Sequence, residues 1–249
     1  MSSIFVNNLK STTGNTILIP AGHSLSLDGS IVTGQSLIPS PSGQAGKLIR
    51  SDGSNLGWGE TGAKNIIQFT SSGTYIPSTG TRLAHVRVVG CGGGGSGYSE
   101  SGGSGGYAEG FFDMTGVIAV SITIGTGGAA TYYSGSAGTG GSVSFGSYIT
   151  CNGGGGANST AQHCGGIGGS GSGGNMSFYG GGGSGHGYNS RAGSNWFGGA
   201  GANGHPQGGA FANNHRSHSV PGTGGQNGWG GSYPGNVGIE GQVVIWEYS

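Results

Sequence analysis

The sequence predicts a mainly β and irregular fold in two parts. Residues 1–65 read as a domain of short strands. Residues 66–249 read as a sandwich of about ten packed polyglycine II helices, with β-strands at one end and five loops at the other. Three observations predict this. Of 249 residues, 65 are glycine, and 53 of those lie beyond position 89. The glycines fall in runs separated by segments rich in Tyr, Trp, Phe and Asn. No stretch has the 3.6-residue apolar period of an amphipathic helix.

Short β-rich runs build the first part: Ile4-Phe5-Val6, Thr16 to Ile19 and His23 to Leu27. Turn residues such as Asn7-Asn8, Pro20-Ala21-Gly22 and Asp28-Gly29 punctuate them. About 60 residues of this kind bury little surface alone, and association with a partner is one remedy. Residues 39–62 have the Pro, Gly and Ser density of a linker, yet they carry apolar side chains that need something to pack on. The expectation is a docking module completed by a partner. Its candidate anchors are Ile4, Phe5, Ile17, Ile19, Leu25, Leu27, Leu48 and Trp58.

The second part opens with strand candidates at Ile66–Thr70 and Thr81–Val89. In the latter, Leu83, His85, Arg87 and Val89 alternate with Arg82, Ala84, Val86 and Val88. Further strands are expected at Val117–Ile124, Val143–Cys151 and Gln242–Tyr248, where β-branched and aromatic residues supply the core.

The glycine runs are 90–97, 102–106, 125–128, 138–141, 153–156, 165–174, 180–185, 198–204, 208–210 and 222–231. A flexible coil is the ordinary reading of such runs, but apolar anchors recur between them. A polyglycine II helix has three residues per turn and no internal hydrogen bonds. Its backbone groups must bond to neighbours, and only glycine lets backbones approach that closely. Straight rods in one bundle force the chain to reverse after each. Numbering the reversals alternately sends nearly all strand-like segments to one end.

The other end collects five polar and aromatic segments, and loops on a rigid frame are where recognition sits. Candidate contact residues there are Tyr98, Ser99 and Glu100, then Tyr132 and Tyr133, then Asn158, Gln162 and His163. The fourth segment adds His186, Tyr188, Asn189, Arg191, Asn195, Trp196 and Phe197. The fifth adds Phe211, Asn213, Asn214, His215, Arg216 and His218. Arg191 and Arg216 are the only basic residues after position 89, and Tyr, Trp and Arg are enriched at binding hot spots.

Other chemistries find little support. Eight basic and eight acidic side chains balance, leaving no electrostatic footprint for nucleic acid. No apolar run approaches the 20 or so residues of a membrane-spanning helix, so no membrane insertion is expected, and the start MSSIFVNNLK does not read as a signal peptide. The match Gly199-Ala200-Gly201-Ala202-Asn203-Gly204 to a dinucleotide fingerprint is cheap in so glycine-rich a chain, and no strand precedes it. The three lysines lie outside the glycine region, which excludes a phosphate-binding loop. The carboxylates are scattered rather than paired as glycoside hydrolysis needs. His205, His215 and His218 read as polar surface, with no carboxylate or cysteine beside them to make a metal site. Cys91, Cys151 and Cys164 are an odd set without a CxxC and read as free thiols made in a reducing compartment. No cofactor, metal or enzymatic activity is expected.

The junction VRVVGCGGGGSGY at 86–98, GGYAEGFFDMTGVIAVSITIGTGG at 105–128, ITCNGGGG at 149–156 and GQVVIWEYS at 241–249 together resemble the adhesins at the tips of long tail fibres in T-even-type bacteriophages. GQAGKLIRSDGSNLGWGE at 43–60 is similar to phage tail-fibre sequence. The resemblance implies an N-terminal attachment domain that caps a trimeric distal fibre protein. It also implies distal loops that bind a bacterial outer-membrane protein, or sometimes lipopolysaccharide, and so set host range. Such a protein is made in the host cytoplasm and carried on the virion.

Overall fold

The computed structural model describes residues 42–45, 47–51, 56–59, 62–97, 100–132, 135–158, 164–185, 220–225 and 235–249. The chain divides into two compact units, Met1–Gly59 and Glu60–Ser249. In the first unit, β1 (Leu48–Ser51) pairs antiparallel with β2 (Leu56–Gly59), with Ile49 opposite Trp58.

The second unit is mainly β, and no helix occurs among the described residues. Its strands are β3 (Asn65–Phe69), β4 (Gly73–Tyr75), β5 (Leu83–Val89), β6 (Tyr107–Asp113), β7 (Val120–Ile124), β8 (Val143–Phe145), β9 (Ile149–Cys151), β10 (Gly171–Gly173), β11 (Met176–Phe178) and β12 (Gln242–Tyr248). They form two five-stranded antiparallel sheets, ordered β11-β6-β5-β12-β3 and β10-β9-β8-β7-β4. Alternation on β5 turns Ala84, Val86 and Val88 inward, and β12 sets Val243 and Ile245 beside Val88 and Val86. Tyr75, Val120, Ile122, Val143, Phe145 and Ile149 of the other sheet join the same core. Each such aliphatic side chain contributes about 1.5–3 kcal/mol by leaving water. The β8–β9 turn places Gly146 at φ +49°, a left-handed conformation open to glycine.

The sheets position the glycine runs. Val89, Tyr107, Phe178 and Gln242 are register partners across one sheet, and Ile124, Val143, Cys151 and Gly171 across the other. At these two rows the strands hand over to glycine segments. Thus β5 continues into 90–97, 100–106 leads into β6, and 235–241 leads into β12.

The segments bond sideways in rotation. Gly90, Gly93 and Ser96 donate their N–H groups to 100–106; Cys91 and Gly94 donate to 138–141; Gly92 and Gly95 donate to 236–239. Run 90–96 in turn accepts bonds from Gly128 and Thr131, from Gly154 and Ala157, and from Gly225. The next run does the same: Ser101 and Ser104 donate to 181–184, Gly102 and Gly105 to 222–225, Gly103 and Gly106 to 152–155. Residues 90–97 and 100–106 are buried throughout.

Candidate functional site

The expected contact residues that the structure describes fall in two regions: the ends of the glycine runs farthest from the strands, and the N-terminal hairpin. At the far end, Ser96 bridges Thr131, the Thr131 N–H donates to Gly95 O at 3.1 Å, and Gly235 donates to Thr131 O at 3.1 Å. Asn158 bridges both Ser136 and Cys164. These bonds tie neighbouring runs together where the chain is about to reverse. Tyr132, next to Thr131, is 60% exposed, and Asn158 is half-buried.

Glu100 corrects the expectation that it faces a receptor. It has no exposed surface, and its carboxylate accepts a hydrogen bond from Ser96 Oγ. Ser96 N–H donates to Glu100 O at 2.9 Å. A buried carboxylate needs such donors, and these bonds tie Glu100 to the end of run 90–96.

Tyr98, Ser99, Tyr133, Gln162, His163, His186, Tyr188, Asn189, Arg191, Asn195, Trp196, Phe197, Phe211, Asn213, Asn214, His215, Arg216 and His218 lie outside the described residues. So do Ile4, Phe5, Ile17, Ile19, Leu25 and Leu27. Of the expected anchors, Leu48 is 59% exposed on β1 and Trp58 is half-buried on β2. Ile49 and Leu56 are exposed beside them. Among the described residues of this unit the hairpin has no third strand; two strands by themselves are marginal in water, and this pair presents apolar side chains.

The outward face of β6, β5 and β12 holds a polar cluster. Glu109 accepts hydrogen bonds from Tyr107 Oη at 2.6 Å and Arg87 Nε at 2.7 Å, and His85 Nε2 lies 3.4 Å away. Burial opposes ionisation of Glu109, but the Tyr107 hydrogen bond and the Arg87 charge outweigh it and hold the carboxyl below its usual range. His85 is lowered, chiefly by burial and then by Arg87. It stacks between Phe111 and Trp246 at 4.5 and 5.2 Å, and the Arg87 guanidinium lies 5.0 Å over the Trp246 ring. Arg87 and His85 were placed on one face by alternation. Glu109 was missed because the β5–β6 pairing that brings it to Arg87 is not written in either segment alone.

A family model described as a glycine-rich domain matches residues 69–246, well over half of the chain. The chain belongs to the glycine-rich domain family. No curated protein matches it.

The described part of this glycine-rich domain holds no group of three or more His, Cys, Asp or Glu side chains that could bind a metal. Cys91 and Cys151 are buried, and burial pushes the Cys151 thiol up to about 12, so neither is a thiolate nucleophile near neutral pH. Glu247 is buried and satisfied: it accepts from Tyr75 Oη at 2.8 Å, Ser78 N–H at 2.9 Å and Ser78 Oγ at 2.6 Å. The Tyr75 bond ties β12 to β4 of the other sheet, which is a structural role.

Proposed function

We propose that the chain is the receptor-binding adhesin at the tip of a bacteriophage long tail fibre. In this reading the N-terminal unit grips the trimeric distal fibre protein. The far-end segments bind a bacterial outer-membrane protein by shape, aromatic contact and hydrogen bonds. With so little charge, long-range steering contributes little. The protein acts by binding rather than catalysis, is made in the host cytoplasm and is carried on the virion.

The observation that carries the proposal is the three-residue rotation of hydrogen bonds along 90–96 and 100–106. Three residues per turn is the signature of polyglycine II, in which successive N–H groups point about 120° apart. The bonded pairs fit a hexagonal lattice of rods. One row holds 125–131, 90–96, 100–106 and 179–185. A second, holding 137–142, 152–158 and 164–170, lies on one side, and 220–225 with 235–241 lies on the other. The rod 90–96 then has six neighbours. This bonding offsets the entropy lost on ordering glycine and gives a stiff frame with strands at one end. Such a frame suits loops that must be varied without disturbing the scaffold.

The test replaces residues 186–197 or 211–221 and measures adsorption to host bacteria. Host binding is expected to change while the melting temperature does not. Unchanged adsorption by a folded loop variant would assign the protein to a structural cap of the fibre tip. Binding of the complex to bacteria lacking single outer-membrane proteins or lipopolysaccharide sugars then identifies the receptor class.

A further inference from the structure

The middle of run 90–97 has glycine in every phase of its three-residue rotation. A Cβ on Gly92 would overlap the backbone at Thr223, one on Gly93 that at Gly155, and one on Gly94 that at Ala129. Three successive residues thus meet three different neighbours. The outer runs differ. On 125–131, 137–142 and 235–241 every third residue is exposed, and each of these carries a side chain: Thr126 and Ala129, Thr139 and Ser142, Val237 and Glu240. Ile167 holds such a position on 164–170 and is 77% exposed. The N–H groups of Thr126, Ala129, Thr139, Ile167, Val237 and Glu240 donate to no backbone carbonyl among the described residues. These outer runs are the counterpart of the edge strands of a sheet, whose unpaired backbone groups invite another chain. Strand pairing is restrained by side-chain register. Bare glycine backbone has no such register to match, so one outer run fits another. Charge gives no restraint either, because eight basic and eight acidic side chains cancel and identical copies do not repel.

We propose that, whatever the loops bind, the outward side chains confine the packing of glycine runs to one molecule. Each fills space in which a second copy of this chain would lay its own outer run. The contact they exclude is between bare backbones with glycine in the facing phase, joined by the N–H groups that have no acceptor within the molecule. A Cβ is enough to block it, as the overlaps at Gly92, Gly93 and Gly94 show. Longer and branched side chains such as Ile167, Val237 and Glu240 stand further out and block more. Among the described residues Gly182 is an exposed position of this kind without a Cβ, and Tyr179, 81% exposed, stands three residues before it. Sheet proteins protect their edges by the same means, with side chains that deny a second strand its approach.

The test compares sedimentation of the full-length chain with that of two variants over a range of concentrations. Thr126→Gly/Ala129→Gly/Thr139→Gly bares two adjoining runs, and Val237→Gly/Glu240→Gly bares a third. Each is expected to self-associate about tenfold or more tightly than the unmodified chain. Amide hydrogen exchange at the altered positions is expected to slow as the variants associate. The counterparts Thr126→Ala/Thr139→Ala and Val237→Ala/Glu240→Ala keep the Cβ and are expected to sediment as the unmodified chain does. Thermal melts show which variants are folded. A folded glycine variant that associates no more tightly than the unmodified chain overturns the proposal, and the outward side chains are then merely tolerated. Alanine variants that associate as strongly as the glycine ones overturn it too, because lost polarity rather than the lost Cβ would be the cause. Association without slowed exchange places the contact elsewhere and has the same result. If one glycine variant does not fold, the other, on a different run, gives the reading.

Discussion

Alanine at position 93 tests the packing of the glycine runs most directly. The Gly93 N–H donates to Gly103 O at 2.9 Å, and its carbonyl accepts from Gly225 at 2.7 Å. A Cβ built on Gly93 lies 2.0 Å from Gly155 O and 2.4 Å from Gly155 C. Carbon and carbonyl oxygen approach no closer than about 3.3 Å, so the two runs must part by more than about 1 Å. The oxygen that is pushed away also accepts the Gly103 N–H at 2.9 Å. Overpacking of this kind costs about 1–3 kcal/mol, and a buried backbone group that loses its partner costs about as much again. The lower entropy of the unfolded alanine chain returns about 0.5–1 kcal/mol. The net loss is about 3 kcal/mol, which in a domain of this size lowers the melting temperature by about 6–12 °C. Gly182 is the control: a Cβ there meets nothing closer than Gly166 O at 3.5 Å. Gly182→Ala is expected to be neutral or stabilising by a few tenths of a kcal/mol. Thermal melts of both variants, followed by calorimetry, decide the matter. Equal melting temperatures would refute the packed-run argument.

Three further outcomes are expected. Burial raises the Glu247 carboxyl, but its bonds from Ser78 and Tyr75 prevail and hold the folded-state pKa below its usual value. Its contribution is therefore complete above the unfolded value near 4.3 and is lost as pH falls through the depressed folded value. Melting temperature measured from pH 6 to pH 2 should fall less steeply in Glu247→Gln than in the unmodified chain; parallel curves would remove Glu247 from the acid response. Glu100→Ala should lower the melting temperature, because it takes an acceptor from the buried Ser96 hydroxyl. Tyr132→Ala should leave it unchanged while weakening adsorption, and the reverse pattern would return Glu100 to the surface.

Where local chemistry and global role agree, the sequence was legible. The strand Gln242–Tyr248 is a run of β-branched and aromatic residues and was placed with the observed bounds. The two faces of Leu83–Val89 followed from alternation. Other features depend on neighbours distant in the chain. Gly171–Gly173 has no strand propensity and is a strand because β9 pairs with it, its backbone pressed against Tyr107. Residues 235–241 were not read as a glycine run, since only every third residue is glycine. That spacing suffices: Gly235, Gly238 and Gly241 face run 90–97 and its flank, while Val237 and Glu240 point outward. Of the far-end site, Glu100 was misjudged because a charged residue between two glycine runs reads as a surface loop. Its burial follows from the runs that close around it.

The place of β12 has an evolutionary consequence. Although it follows the other strands in sequence, it sits between β5 and β3, inside its sheet. A chain that leaves the strands along one glycine segment must come back along another before β12 can be reached. Insertions and deletions that preserve the sheet therefore arrive as out-and-back pairs. A single added segment would strand the C-terminus at the wrong end and leave β5 and β3 without the partner that joins them. Lineages of this fold can widen or narrow by twos, each step carrying one new reversal, while the central strands stay as they are.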